Sequence, residues 1–140
     1  KDALGYPEYT IVEQRDTDAE IFRKAVSTPK MEIPAAIQKV LGAGFRFTEE
    51  TTFNKKTKVA TFKGIPSTMA DKLKTSGTLR CEPVGTNRCR RVIEIDNTAN
   101  VSFLLNSTLE SFGEKSMRDA YDRGAQFMSK WITDKGLAGT

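Results

Sequence analysis

The stretch from Ser107 to Lys135 constrains this chain most, because it carries the longest unbroken helical pattern and the single tryptophan. Apolar or small residues recur at Leu109, Phe112, Gly113, Met117, Ala120, Tyr121, Gly124, Phe127, Met128 and Trp131, in the steps of three and four that put side chains on one side of a helix. Glu114, Arg118, Asp122 and Lys130 fall between them. One face is therefore meant to be covered. Ser107-Thr-Leu-Glu110 has the S-x-x-E spacing of a capping box, which places the helix start at Ser107. Lys135-Gly136 supplies the cation and the glycine of a helix end. At 1.5 Å per residue the helix is about 40 Å long, so whatever covers it must have the size of a domain.

The rest of the chain reads mainly as strands. Tyr9 to Arg15 and Glu20 to Val26 alternate and are joined by the polar turn Asp16-Thr-Asp18, a hairpin. Met31 to Leu41 changes period, with Pro34 suited to a first helical position and Gly42 to a stop. Phe45 to Phe53 places Phe45, Phe47, Glu49, Thr51 and Phe53 on one side, so a carboxylate shares an aromatic face. Thr57 to Lys63 follows the turn Asn54-Lys55-Lys56, and Asp71 to Glu82 puts Leu73, Thr75, Gly77, Leu79 and Cys81 on a common side. After the turn at Pro83 to Asn87, Arg88 to Ile95 returns with Cys89, Arg91, Ile93 and Ile95 on one side. Asp96 to Asn100 reads as a loop and Val101 to Leu105 as an apolar lead-in to the helix. The inventory is one α+β domain over residues 1–140: sequential antiparallel strands, a short helix and one long terminal helix.

Composition narrows the chemistry. With 38% apolar and 29% charged residues among 140, the chain is expected to be a soluble globular domain with mass enough for a core, intracellular or in an organelle. It has no apolar run long enough to span a bilayer. A net charge of +4 with the basic residues scattered permits peripheral contact with an anionic membrane but does not favour nucleic acid. There is no histidine, which removes Ser-His and Cys-His nucleophiles, histidine metal sites and the commonest general base. No catalytic residue, metal or cofactor is expected. Cys81 and Cys89 flank a hairpin turn and fit either a cross-strand disulfide or free buried thiols.

Met31-Glu-Ile-Pro34, Ile37-Gln-Lys-Val-Leu-Gly42, Phe62-Lys-Gly-Ile-Pro66, Ser76-Gly-Thr-Leu79 and Ser129-Lys-Trp-Ile132 together resemble the uncharacterised START-like proteins best known from actinobacteria. These belong to the helix-grip (SRPBCC) superfamily, with the START lipid-transfer domains and the birch-pollen allergen group. The resemblance implies a curved antiparallel sheet of about seven strands wrapped around the C-terminal helix, with a hydrophobic cavity between them. It also implies a first strand and helical segment before Tyr9, of which Lys1 to Gly5 would match only the end.

The candidate site is the lining of that cavity: Phe45, Phe47, Glu49, Leu79, Arg91, Ile93, Met117, Tyr121, Phe127, Met128 and Trp131. A Met and aromatic stripe at helical spacing fits ordinary core packing as well as a ligand surface. Glu49 and Arg91 stand out because an unpaired charge on an apolar face costs several kcal/mol. They are expected to face inward, paired or anchoring the polar end of a ligand. The expected partner is a lipid or other apolar small molecule, the alternatives being a subunit of a larger protein assembly and an enzyme of the cyclase or hydrolase kind.

Overall fold

The computed structural model describes residues 5–28, 35–42, 44–86, 88–100 and 103–137. Six strands, β1 (Glu8–Asp16), β2 (Glu20–Thr28), β3 (Phe47–Asn54), β4 (Val59–Pro66), β5 (Leu73–Pro83) and β6 (Cys89–Ala99), form one antiparallel sheet in sequence order. Helix α1 (Ala35–Leu41) links β2 to β3, and helix α2 (Phe103–Asp134) follows β6. This is the helix-grip arrangement, a curved sheet with a long C-terminal helix on its concave side.

The turns joining β1 to β2, β3 to β4 and β5 to β6 are fixed by local chemistry, and these three lie at one end of the sheet. Between β1 and β2, Thr17 donates its hydroxyl to the Glu20 carbonyl at 3.1 Å and accepts the Glu20 amide at 3.1 Å. Between β3 and β4, the Asn54 side-chain oxygen accepts the amides of Lys56 and Thr57, both at 2.9 Å, and Lys58 takes the left-handed conformation at φ 59°. Between β5 and β6, Gly85 does the same at φ 75°. A salt bridge from Lys55 to Asp16 ties the first two turns together.

The opposite end is closed by a small plug. Ile37 is fully buried, and Leu41 and Phe45 nearly so; Phe47, Leu73, Leu109 and Phe112 pack against them. Phe45 and Phe47 meet edge to face with centroids 4.7 Å apart. Thr68 donates to the Leu41 carbonyl at 2.8 Å, satisfying one of the free carbonyls at the end of α1. The N-terminal part of α2 is thus anchored to α1 and the start of β5.

Register divides the sheet into two chemically distinct faces. On the concave side, Ala25 stands opposite Glu49, Glu49 opposite Gly64, Phe62 opposite Gly77 and Leu79 opposite Ile93. On the convex side, charges pair: Lys24 with Glu50 at 2.9 Å, and Arg80 with Glu94 at 2.7 Å and Glu82 at 3.0 Å. Gly77 is where the sheet admits no side chain, because a Cβ there would meet the Glu94 carbonyl oxygen and lie 2.7 Å from Phe62 Cζ. The Phe62 ring fills the space that Gly77 leaves.

Several expectations from the sequence are corrected here. Helix α2 begins at Phe103, so Ser107 is an interior residue and not a cap. The reason is visible in the sequence: Leu105, Leu109 and Phe112 continue the spacing, and adding a residue to a formed helix is easier than starting one. Residues 96–99, read as a loop, extend β6, since Ser76 pairs with Asp96, Thr75 with Asn97 and Lys74 with Thr98. Thr75 donates its hydroxyl to the Asn97 side-chain oxygen at 2.8 Å. The ladder offered by β5 thereby outweighs the weak strand preference of Asp and Asn. Cys81 pairs with Arg91, and Cys89 with Pro83, so the two cysteines are diagonal and not opposite. Both are free and exposed, not buried, because they lie near the hairpin end where nothing covers the sheet. Pro34 and residues 1–4, which carried the helix-start and element-end expectations, lie outside the described residues.

The end of α2 is as the sequence suggests. Gly136 at φ 63° lets its amide reach the Thr133 carbonyl and the Leu137 amide the Ile132 carbonyl, both at 3.0 Å, the paired bonds of a Schellman cap.

Candidate functional site

Helix α2 crosses the concave face, packed at one end and lifted at the other. Along β6, Asn97 donates its amide to the Met117 sulfur at 3.9 Å. One and two turns further on, Arg91 donates Nη2 to the Tyr121 main-chain oxygen at 3.2 Å, and its guanidinium stands 6.0 Å from the Tyr121 ring centroid. Gly124 lies beside this contact, with Arg91 Nη2 3.7 Å from the position of a Cβ there, an ordinary van der Waals distance. Beyond this point the helix leaves the sheet uncovered. Met128 and Trp131 follow Tyr121 and Gly124 by seven residues and so stand on the same side of α2, yet they remain 44% and 42% exposed.

The result is a cleft, closed by the plug and open toward the hairpin turns. Its sheet wall carries Phe53, Leu79 and Ile93, all only half-buried. On the β2 and β3 side the wall is hollowed by about 270 Å³ between Ile21, Arg23, Glu49, Thr51 and Phe53. A larger depression of about 350 Å³ lies across the sheet and draws most of its lining from the convex face, including Glu50, Thr52, Lys63 and Asp96. That surface is charged and hydroxylated, and it does not face α2. The concave hollow mixes Ile21 and Phe53 with Arg23, Glu49 and Thr51.

Polar groups cluster halfway along the cleft. Burial first, then the charge of Glu49, raises the Tyr121 hydroxyl above its ordinary pKa of 10, and Arg91 works against this. Tyr6 is raised for the same leading reason, with Glu49 again adding and Arg123 opposing. Both phenols therefore stay protonated at neutral pH and can donate a hydrogen bond. The shared influences put Tyr6 and Tyr121 between a carboxylate on β3 and guanidinium groups on β6 and α2.

Glu49 and Arg91 both lie on the concave face, as their alternation suggested, but they do not pair. With β4 and β5 between them they are three strand spacings apart, about 14 Å across a flat sheet. Glu49 instead accepts the Thr51 hydroxyl at 3.2 Å. Among the described residues no carboxylate lies within ion-pair distance of Arg91 or Arg123.

The other expected lining residues divide into three groups. Phe45 belongs to the plug and is 6% exposed, with Phe47 packed on it, so this pair closes the cleft and does not line its open part. Leu79, Ile93, Met117 and Tyr121 are half-buried and brought together between sheet and helix. Phe127, Met128 and Trp131 are exposed, because α2 outruns the sheet surface that would cover them. Sequence reasoning missed Tyr6 and Arg123, whose signal is weak: Tyr6 precedes the first strand and Arg123 sits in the polar series of α2. Among the described residues, no group of three or more His, Cys, Asp or Glu side chains is placed to hold a metal ion, and no helix is long and apolar enough to cross a membrane.

No curated protein matches the chain in sequence. A family model described as a protein of unknown function (DUF2505) matches residues 2–132, nearly the whole of the sheet and of α2, and the chain belongs to that family.

Proposed function

We propose that this chain is a non-catalytic binding domain that holds a lipid or other apolar small molecule between the concave sheet and the C-terminal half of α2. The observation that carries this reading is the apolar surface left uncovered between sheet and helix and along α2. Among the described residues the buried apolar side chains are few: Ala25, Ile37, Leu41, Phe45, Ala60 and Pro66, three of them in the plug. Leu79, Ile93, Met117 and Tyr121 are only half-buried between sheet and helix, and Met128 and Trp131 stand exposed further along α2. A ligand that covered about 200 Å² of this surface would gain about 5 kcal/mol before the costs of association, enough for a loosely held cargo. The resemblance to START-like proteins supports the same reading, since cavities in that superfamily hold apolar molecules. As a site for catalysis the cleft is poor: it has a carboxylate, guanidinium groups and phenols, but no nucleophile beside a base.

Native mass spectrometry of the protein as isolated tests this. A bound mass that is released on denaturing extraction and migrates as a lipid supports a carrier. A clean protein mass that stays clean after incubation with lipid extracts overturns it. A second reading is favoured by β1, whose outer edge is unpaired among the described residues and exposes Ile11 and Val12. Such an edge accepts a strand from another chain, as in a subunit of a larger assembly, and the same spectra would then show a protein partner in place of a small molecule.

A further inference from the structure

We infer that the molecule held in the cleft is a single-chain amphiphile with an anionic head, a carboxylate in the simplest case, seated on Arg91 with its tail running along α2 toward Trp131. This rests on the apolar-ligand reading above and names the class of ligand within it.

The argument begins with the placing of Arg91. It projects from β6 onto the concave face with Leu79 and Ile93 as its neighbours along the wall. A guanidinium in such surroundings is expected to be matched by a carboxylate. Here its protein partners are one helix carbonyl, 3.2 Å away, and the face of Tyr121. These hold its plane in place while consuming one of five N–H donors. The remaining donors form a fork suited to two oxygens on one carbon.

Neighbouring groups favour the same ligand. The Tyr121 hydroxyl stays protonated and can donate to an oxygen. Glu49, on β3, repels an anion from the far side of the cleft, so the head is directed to the β6 side. An exposed apolar stripe on α2 is open to the tail. Met128 and Trp131 continue the Tyr121 side of α2, and the helical rise puts Trp131 about 15 Å beyond Tyr121, the reach of a medium-length acyl chain.

Titration calorimetry with dodecanoic acid and dodecan-1-ol, which share a chain and differ in the head, tests the assignment. The wild-type protein should bind the acid about ten- to a hundredfold more tightly, the usual worth of a hydrogen-bonded charge. Arg91→Gln should lose that preference while keeping its affinity for the alcohol, which also shows that the cleft is intact. Arg91→Lys should restore part of the preference. Equal binding of acid and alcohol by the wild type, or an undiminished preference in Arg91→Gln, overturns the anionic head and leaves the apolar cleft standing. Binding of neither overturns both.

Discussion

Arg91 and Tyr121 join the last strand to the long helix at one point, a side-chain donor against a main-chain oxygen at 3.2 Å with the guanidinium 6.0 Å from the ring. On one side of this contact α2 is packed into the plug through Leu109 and Phe112. On the other, Met128 and Trp131 are exposed on the same side of α2 as Tyr121. The contact is therefore the boundary between the closed and open parts of the cleft.

That geometry makes the single tryptophan a reporter. Trp131 is 42% exposed and stands on the open side, so its emission in the free protein should be that of a largely hydrated indole. Addition of dodecanoic acid should shift it to shorter wavelength, and Met128→Gln should weaken the shift by reducing apolar contact beside it. An emission maximum that does not move at saturating acid would argue against a tail along α2.

The phenols give a pH dependence whose sign is fixed. Tyr6 and Tyr121 both ionise above the ordinary value of 10 in the fold, burial being the leading cause for each. The native protein then holds these protons more tightly than the unfolded chain, so their contribution to stability is complete below about 10 and falls as the pH rises through the raised values. Tyrosinate absorbance on alkaline titration should contain a late component. Tyr121→Phe should remove part of it, and a variant curve superimposing on the wild type after scaling for residue count would contradict the burial.

Gly77 should tolerate no substitution. An added methyl meets the Glu94 carbonyl and the Phe62 ring at once, and backbone cannot yield as a flexible side chain can. Gly77→Ala should cost on the order of 2–3 kcal/mol in urea unfolding. Gly113→Ala, which meets nothing within 4 Å on α2, should be neutral or stabilising by helix propensity.

The plug should matter more than its size suggests. Ile37 is fully buried and is the centre of the small cluster that anchors α2. Ile37→Ala should cost about 2–5 kcal/mol, a large part of the stability of an ordinary domain. Its loss should free the N-terminal part of α2, seen as faster amide exchange through Leu109 and Phe112. Protection there equal to wild type would show that something other than the plug holds the helix.

On the convex face, Arg80 sits between Glu82 and Glu94, and its hydrogen bond is the leading cause that holds Glu94 below the ordinary carboxylate range; for Glu82 the Arg90 bond leads and Arg80 adds. Arg80→Gln should raise both carboxyl pKa values toward the ordinary 4.5 in an NMR titration, Glu94 more than Glu82. Stability from these pairs is present above that value and fades as the pH falls through the lowered ones, so the variant should lose less on acidification.

How much was legible in the sequence depended on how local the cause was. Strand alternation placed Glu49, Leu79, Arg91 and Ile93 on the inward side because side-chain direction along a strand follows from backbone geometry alone. The Asn54 turn and the Gly136 cap were readable for the same reason, each being a bond between near neighbours. Tertiary structure decided what local chemistry leaves free. The partner strand extended β6 through Ala99 and set Cys81 against Arg91 in place of Cys89. The plug fixed one end of α2, and the span of the sheet, shorter than the helix, left Phe127, Met128 and Trp131 exposed. Helical spacing says that these side chains share a side. Whether anything stands opposite them is a matter of distance between elements far apart in the chain, and the structure leaves them exposed.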